Sequence, residues 1–408
     1  MSPPIGRNLD KLVLVVGQGP AGEAVAGMAK QAGFDVLVVD PRPVNTRPQR
    51  VTIRQDSVTT LRDLGVYEGL RETMIPIGSI EFNGKPVPLT RPDPILPPQW
   101  SLEHNPDFAS VLKEAPIGVI ALRDLQDILH AENGKQGVRY EAAEATLVPA
   151  PTTLGEGIPT EWAVEYKRKD GASKVRVTPY LTFIADGAHS PSTTGLVPRE
   201  TLTHTQYFVG AFVKQTHPDL VAVDHERVGA ARLTQTPGPE LGEQRTTIMF
   251  SKPDDSTWTV MEMTPSEYAG LPATKAVDRA WCLAHAQAGL RGSEPHIVAG
   301  GDRIFEARVE HAVQPTLGEN VALMGDARLV TGILGGIGTQ AALRNAPIVR
   351  DHLFAPLQRA LDDGISPEEA RSIALAQWSK AVAEQDRDAI AYARPRYTHA
   401  DAKDSYRK

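Results

Sequence analysis

Apolar runs and turn residues alternate over the first forty positions in an order that predicts a strand, a helix and a second strand. The run 12–16 is continuously apolar, as is typical of a strand buried on both faces. A glycine-rich turn follows it, then a helical pattern through about Gln31, and then a second apolar run over 35–39 that ends at Asp40. This order predicts a βαβ unit with parallel strands.

Between about residues 201 and 305 the pattern changes to short segments of alternating apolar and polar positions, which predict β-strands. Alternation places Phe208 and Phe212 on one face, and the next two segments supply further inward candidates. Packing of the sheet against helices is the alternative for each of these side chains. As a set they suggest an apolar cavity, in which methionines would adapt to a bulky substrate. The candidate substrate-binding residues are Phe208, Phe212, Ile248, Phe250, Met261, Met263 and Trp100.

Six prolines between Lys85 and Trp100 exclude a helix there and allow at most edge strands. This segment is either a wall over the cavity, with Trp100 against the ligand, or a surface loop. After Asn345 the pattern becomes helical, and Ser366 followed by Pro367 predicts a helix that begins with serine as its N-cap.

Composition limits the class of protein. With 408 residues the chain can bury at least one large core, and two or three domains are expected. A net charge of −7 with scattered lysines and arginines disfavours a nucleic-acid surface. Cys282 is the single cysteine, so an internal disulfide and a cysteine-based metal cluster are excluded and a cytoplasmic location is expected. No run approaches the roughly 18 apolar residues of a membrane span, and no metal site is expected.

The first turn reads Gly-Gln-Gly-Pro-Ala-Gly over 17–22, which is a Gly-x-Gly-x-x-Gly motif between the predicted strand and helix. Gly17 permits the tight turn, Gly19 lets the backbone approach a pyrophosphate, and Gly22 allows the helix to pack closely on the strand. The phosphates then lie at the positive end of the helix. Asp40 is placed to accept hydrogen bonds from a ribose hydroxyl, so the unit predicts a dinucleotide site.

Two later segments add carboxylates after apolar runs. One delivers Asp186 and Gly187 at a turn, and the other delivers Gly325 and Asp326 ahead of a glycine-rich loop. Together with the Gly-x-Gly-Pro-Ala-Gly form of the first motif, their order and spacing resemble the class A flavoprotein monooxygenases, the para-hydroxybenzoate hydroxylase superfamily. The resemblance implies FAD as the cofactor.

The resemblance also implies how the third segment would meet FAD. Asp326 is expected at the ribitol or pyrophosphate region, and the glycine-rich loop lets backbone amides approach the isoalloxazine ring. The helix from about Gly338 would point its positive end at the flavin and stabilise the negative charge of the reduced form.

Arginines near two predicted helices are further candidates. The stretch 54–66 resembles the helix where an upstream arginine meets the FAD pyrophosphate, and Arg47, Arg50 and Arg54 stay open for that role. A later helix points to Arg123, and a surface arginine is the alternative in each case. The full cofactor-binding set is Gly17, Gly19, Pro20, Ala21, Gly22, Asp40, Arg50, Arg54, Arg123, Asp186, Gly325, Asp326, Gly335, Gly336 and Gly338.

The fold implied by the resemblance is α/β, with a Rossmann-like FAD-binding domain of the GR2 type, a mixed β-sheet substrate domain and C-terminal helices. The FAD-binding domain is expected to be discontinuous in sequence. It takes residues 1–75, 115–200 and 305–350, the substrate-binding β domain takes 76–114 and 201–304, and residues 351–408 form the C-terminal helices and a polar tail.

The later segments depart from the family pattern. Arg328 and Leu329 stand where the family has alanine and histidine. Gln340 replaces an asparagine, and Asn345 replaces an aspartate. The second segment also lacks the family arginine soon after its serine, and the next arginine is Arg199. These changes leave FAD binding expected and put the standard chemistry in doubt.

The function implied by the resemblance is that of a monooxygenase with NADH or NADPH as transient reductant, which transfers one atom of molecular oxygen through a flavin hydroperoxide. The expected substrate is a small apolar secondary metabolite, aromatic or polyketide-like, that is hydroxylated or epoxidised. An FAD-dependent cyclase without net oxidation is the first alternative, and a non-catalytic FAD- or ligand-binding protein is the second. No catalytic residue is identified, and a monomer or homodimer is expected, with no nucleic acid and no membrane span.

Overall fold

A computed structural model describes residues 9–42, 49–83, 85–87, 118–150, 160–168, 174–203, 205–213, 229–237, 244–251, 257–263, 303–332 and 337–394. Arg47, Trp100, Gly335 and Gly336 from the candidate sets lie outside these ranges. For Phe212 and Phe250 the description covers the backbone alone.

The described strands are short, and several end beside the predicted motifs. They are β1 Leu9–Val16, β2 Phe34–Val39, β3 Arg50–Ile53, β4 Ile75–Phe82, β5 Lys85–Val87, β6 Gly118–Ala121, β7 Arg139–Glu141, β8 Ala143–Pro149, β9 Trp162–Arg168, β10 Lys174–Val177, β11 Leu181–Ile184, β12 Arg199–Thr201, β13 Gln206–Val213, β14 Gly229–Pro237, β15 Gln244–Ser251, β16 Thr257–Met263, β17 Arg303–Ala307, β18 Glu310–Ala312, β19 Thr316–Leu317, β20 Val321–Leu323 and β21 Leu329–Val330.

The α-helices lie mainly in the first third and the last fifth of the chain. They are α1 Pro20–Gln31, α2 Gln55–Asp63, α3 Tyr67–Thr73, α4 Leu122–Lys135, α5 Gly338–Val349, α6 Ala355–Asp362 and α7 Pro367–Ala393. Helix α7 begins as the sequence predicts, because the Ser366 side chain accepts a hydrogen bond from the Glu369 N–H at 3.3 Å. None of the described helices is long and apolar enough to cross a membrane.

A six-stranded sheet holds the predicted βαβ unit, in the order β19-β20-β11-β1-β2-β7. Strand β1 pairs in parallel with β2 on one side and with β11 on the other. Its residues Val13, Leu14 and Val15 have no exposed surface, because both faces of the sheet are covered. The prediction of an α/β fold with a Rossmann-like unit is confirmed.

The six-stranded sheet separates two apolar cores. On one face Val15 packs in a cluster with the helices α1, α4, α5 and α7, in which Trp378 is fully buried. On the other face Leu14 packs in a cluster with Trp162 and other residues of the antiparallel sheet β8-β9-β10. The strand ends are therefore held rigidly from both sides.

A second sheet contains the strands predicted between residues 201 and 305. Its antiparallel part runs in the order β17-β13-β16-β15-β14, and it continues through β4 and β6 to β3. Residues 50–53 and 118–121, which the sequence assigns to the FAD-binding domain, thus share a sheet with the substrate strands. The division into domains stays a prediction, and backbone hydrogen bonds run across its boundary.

Candidate functional site

The candidate site lies where four parallel strands end side by side. Val16 is in register with Val39 on one side and with Ile184 on the other, and Ile184 is in register with Leu323. Each of the three predicted motifs, and Asp40, follows one of these residues within three positions. Ligands of open parallel sheets bind at the carboxyl ends of the strands, where the chain connections diverge. The fold therefore brings the three segments to one edge.

The three glycines of the first motif differ in what their missing side chains leave free. A Cβ on Gly17, whose φ is +104°, would lie 2.4 Å from the Ala185 carbonyl oxygen, and one on Gly22 would lie 2.0 Å from the Gly17 carbonyl oxygen. The packing of the chain itself therefore requires both glycines. Among the described residues, a Cβ on Gly19 would meet only the Ala185 oxygen, at 3.9 Å. Gly19 also has an ordinary φ of −70°, so the backbone does not require glycine there. The missing side chain instead leaves space beside Gly19 that a ligand can occupy.

Asp40 lies at the end of β2, beside the first motif. Its two side-chain oxygens accept hydrogen bonds from the backbone N–H groups of Gln18, at 2.9 Å, and Arg42, at 2.7 Å. These bonds orient the buried carboxylate and tie it to the glycine turn. Each oxygen keeps a second lone pair, so the group can still accept hydrogen bonds from ribose hydroxyls.

Asp186 follows β11 at the same edge. One of its oxygens accepts hydrogen bonds from the N–H of Ser192 at 3.0 Å and from its hydroxyl at 2.7 Å. The other oxygen, Oδ1, is buried and has no hydrogen-bond donor among the described residues. A buried acceptor without a donor marks a position where a ligand or a water molecule donates.

The third segment packs directly against the first. A Cβ on Gly325, whose φ is +54°, would lie 2.7 Å from the Cβ of Ala21 in α1. Asp326 follows in a single 3₁₀ turn, and its side chain is exposed. Arg199 of β12 donates to the backbone carbonyls of Asp326 and the next residue, at 3.2 and 2.5 Å. The arginine that comes late in the second segment thus reaches the third segment in space.

Helix α5 begins at Gly338, as predicted, and carries buried acceptors near its first turn. The Gln340 side chain donates to the Thr52 carbonyl at 2.9 Å, while its own Oε1 atom is buried without a donor among the described residues. The same is true of Thr331 Oγ1, which lies 3.6 Å from the place of a Cβ on Gly338. No side chain of the described residues caps the helix, so its positive end can meet a polar ligand.

Two of the arginine candidates, Arg50 and Arg123, lie near the start of α4, whereas Arg54 precedes α2 at the other end of β3. Arg50 is in register with Ala121, the last residue of β6, and Arg123 is in the first turn of the helix that follows. The Arg123 side chain is largely exposed, 3.8 Å from Asp124 and 3.9 Å from Asp127. The register brings Arg50 and Arg123 to one place. The role of these two arginines and that of Arg54 toward a cofactor stay predictions.

A buried carboxylate behind the first motif was missed by the sequence analysis. Glu23 of α1 has no exposed surface and accepts hydrogen bonds from Asn133, at 2.6 Å, and the Tyr140 hydroxyl, at 2.8 Å. His130 Nδ1 lies 3.3 Å from Glu23 Oε1 and 2.8 Å from Gln18 Nε2, so this network reaches the glycine motif. The hydrogen bond to Glu23 raises the pKa of His130, and burial raises the pKa of Tyr140. In the sequence, the buried carboxylate was indicated only by the position of Glu23 among small residues of α1.

The strand register corrects one prediction for the substrate side. The sequence analysis has the apolar candidates of β15 and β16 facing inward together. Ile248 is in register with Val260, however, so Ile248 and Met261 lie on opposite faces of the sheet. The joint inward orientation is wrong, because neighbouring residues of a strand point to opposite faces and pairing decides which ones meet. The positions of Phe208, Phe212, Ile248 and Phe250 share one face, and those of Met261 and Met263 share the other.

The C-terminal end of α7 shares an apolar cluster with the face of the sheet that carries Phe208 and Ile248. Both side chains are buried in a cluster with Ala389 of α7. This agrees with the alternative given for each of them in the sequence analysis, in which the side chain packs the sheet against helices. Leu329 and Ile337, which flank the glycine-rich loop, belong to the same cluster. This face therefore borders the candidate site, whereas Met261 and Met263 are buried on the far face. Across the described ranges, no group of three or more His, Cys, Asp and Glu side chains is placed to hold a metal ion.

Solved structures share this fold. p-Nitrophenol 4-monooxygenase PnpA from Pseudomonas putida DLL-E4 aligns with a TM-score of 0.68 and 15% identity over 98% of this chain and 92% of its own. Aklavinone-11 hydroxylase, in complex with FAD and aklavinone, aligns with a TM-score of 0.68 and 17% identity over 98% of this chain and 71% of its own. The tetracycline destructase Tet(51) aligns with a TM-score of 0.59 and 16% identity over 98% of this chain and 94% of its own. Sequence comparison with curated proteins gives no match.

The parallel sheet with its three converging segments is thus a fold that the chain shares with solved monooxygenase and hydroxylase structures. Residues 10–377 match the FAD binding domain family, and the chain belongs to that family. The resemblance to class A flavoprotein monooxygenases found in the sequence is confirmed.

Proposed function

We propose that the chain is an FAD-dependent monooxygenase that hydroxylates or epoxidises an apolar, aromatic or polyketide-like metabolite, with NADH or NADPH as reductant. The observation that carries the proposal is the meeting of the three segments at the aligned ends of β2, β1, β11 and β20. Membership of an FAD-binding family supports the cofactor. The substrate class and the reductant rest on the family resemblance and on the apolar face beside the site.

The residues present fit FAD. Gly19 and the N-terminus of α1 leave open space for the pyrophosphate, and Asp40 keeps lone pairs for a ribose. The unpartnered oxygen of Asp186 and the exposed carboxylate of Asp326 would receive donors of the ribitol region. The uncapped N-terminus of α5, with Gln340 in its first turn, would lie at the flavin ring.

In such a site bound FAD supplies hydride acceptance and oxygen activation, while the protein supplies binding, orientation and exclusion of water. The positive end of α5 favours negative charge next to it. The apolar cluster of Phe208, Ile248 and the end of α7 would keep water from one side of the site. Since general acid–base groups are not needed to activate oxygen here, the absence of an assigned catalytic histidine is compatible with the proposal.

Flavin absorbance tests the proposal. The purified protein should be yellow, with the absorption of oxidised flavin, and anaerobic NADH or NADPH should bleach it faster when an accepted aromatic substrate is present. Admission of air should restore the colour and give a product with one added oxygen atom. A colourless protein that takes up no added FAD contradicts every flavin-based function.

A second candidate function is an FAD-dependent cyclase without net oxidation. The observation that favours it is the substitution pattern of the third segment, since Arg328, Gln340 and Asn345 all differ from the family pattern near the flavin. A protein that keeps its flavin oxidised with both nicotinamides, yet isomerises a substrate without oxygen, would support the cyclase. Bleaching by a nicotinamide followed by oxygen transfer would exclude it.

A further inference from the structure

A buried arginine joins the third segment to two helices. Arg328 directly follows the turn that carries Asp326, and only 1% of its side chain is exposed. Its Nη1 atom donates to Asn345 Oδ1 at 2.6 Å, and its Nη2 atom donates to Asp386 Oδ1 at 2.9 Å and to Gln385 Oε1 at 3.2 Å. Asn345 belongs to α5, and the other two acceptors belong to α7. One guanidinium therefore connects the turn, the helix at the candidate flavin position and the long C-terminal helix.

Two departures from the family pattern turn out to be a matched pair. The Asn345 side chain donates to the carbonyls of Ala341 and Ala342, at 2.6 and 2.9 Å, which directs its oxygen at Arg328. A carboxylate at position 345 could accept from the arginine but could not donate to these carbonyls. It would also place a second negative charge beside the guanidinium that already pairs with Asp386. Arginine at 328 and asparagine at 345 therefore suit each other.

The ion pair between Arg328 and Asp386 contributes more to the arrangement of the elements it joins than to the stability of the fold. Burial raises the pKa of Asp386, and the nearby Arg328 opposes that shift. Because removing both charges from water is costly, buried ion pairs add little net stability compared with apolar residues of similar size. Their strict donor and acceptor geometry can instead select one arrangement of the elements that carry them. The arrangement selected here includes the turn with Asp326.

The end of α7 also contacts both sides of the site. Ala389 and Ala393 lie in the same apolar cluster as Leu329 and Ile337, which flank the glycine-rich loop. Phe208, from the sheet of the predicted substrate strands, belongs to the same cluster. The polar and apolar contacts of α7 therefore converge on the segment around the third motif.

We propose that Arg328 is a positioning residue, which fixes the Asp326 turn and, through Asn345, helix α5 to the last turns of α7 and so preorganises the cofactor site. This inference rests on the proposed binding of FAD. It makes the C-terminal part of α7 a component of the FAD site, although no residue of that part carries a cofactor motif.

The test uses the full-length chain stripped of cofactor and compares Arg328→Met with the double variant Arg328→Met/Asp386→Leu. The thermal midpoint of unfolding is measured on the apo protein, and the FAD dissociation constant is measured by quenching of flavin fluorescence. The single variant leaves Asp386 buried without its cation, so both its midpoint and its affinity should fall. The double variant should recover most of the midpoint. Its FAD affinity should remain at least about tenfold weaker than that of the wild type.

Arg371→Met is the matched control. Arg371 also belongs to α7, is 4% exposed, and donates to the Glu161 carboxylate at 2.6 Å and the Tyr180 carbonyl at 3.2 Å, away from the third segment. Its loss should lower the thermal midpoint and leave FAD affinity within about twofold, since a factor of two is less than 0.5 kcal/mol. Hydrogen exchange of the apo protein over residues 324–330 should speed up in the two Arg328 variants and not in this control.

Three results would overturn the inference. They are recovery of FAD affinity together with the thermal midpoint in the double variant, an equal loss of affinity in Arg371→Met, and unchanged exchange of residues 324–330 without Arg328. A wild-type chain that binds no FAD would instead overturn the proposed function itself, so the two failures are distinguishable.

Discussion

Gly19 and Gly22 allow the binding role of the first motif to be separated from its packing role. In the apo protein, an alanine Cβ at position 19 lies no closer than 3.9 Å to any atom of the described residues, and the backbone there is acceptable to any residue. Alanine is a poorer N-cap than glycine, but it also restricts the unfolded chain, and these effects oppose each other. We expect Gly19→Ala to change the free energy of unfolding of the apo protein by less than about 1 kcal/mol.

The effect on FAD should be much larger. A methyl group at position 19 occupies the space through which a pyrophosphate would reach the helix N-terminus. Loss of one hydrogen bond to a charged group costs about 1.5–3 kcal/mol, which corresponds to an affinity loss of about 10- to 150-fold. Gly22→Ala serves as the control, because its Cβ would lie 2.0 Å from the Gly17 oxygen and must displace backbone. That variant should lose about 1–3 kcal/mol of stability even without cofactor.

The assay is chemical unfolding of both apo variants alongside titration with FAD. Two outcomes would refute the reasoning. If Gly19→Ala binds FAD as tightly as the wild type, the pyrophosphate does not approach this glycine. If Gly19→Ala destabilises the apo protein as much as Gly22→Ala does, the space beside Gly19 is not free.

Two further predictions concern charged side chains. Asp326→Ala should weaken FAD binding at least about tenfold yet change the free energy of unfolding by less than about 0.5 kcal/mol, because the carboxylate is exposed. Glu72 is also exposed, and Glu72→Ala serves as the control that should change neither quantity. Equal FAD affinity in the two variants would contradict the role of Asp326. Because the pKa of His130 is raised by Glu23, the stability from this contact should be complete below about pH 6.5 and lost as pH rises through the raised pKa. The stability advantage of the wild type over His130→Asn should therefore shrink between pH 5.5 and 8.5, as measured by urea unfolding of the apo protein, and a constant difference would count against the contact.

Local patterns in the sequence predicted the elements that hold the candidate site. The βαβ unit and the Ser366 N-cap follow from apolar periodicity and cap chemistry, which act over a few residues, whereas the helix from Gly338 is expected from the family resemblance. The places of Asp186 and Gly325 after apolar runs are likewise local, whereas their alignment at one sheet edge comes from the strand pairing. These signals are local, so neighbouring residues suffice to read them.

The features that escaped prediction depend on partners far apart in the sequence. The pairing of Arg328 with Asp386 joins a turn to a helix that begins 39 residues later in the sequence, at Pro367. The sequence around a single arginine does not indicate whether its side chain is buried. Glu23 is similar, because its donors come from α4 and β7. The faces of Ile248 and Met261 depend on the register of β15 against β16, which alternation within one strand does not determine.

Strand β1 is synthesised long before its second neighbour. Val13 pairs with Val36 on one side and with Leu181 on the other. At a translation rate of about 5–20 residues per second, one edge of β1 waits on the order of ten seconds for its partner to be made. An apolar strand with an open edge is a template for pairing with other chains. This sheet order therefore exposes the growing chain to aggregation during its synthesis.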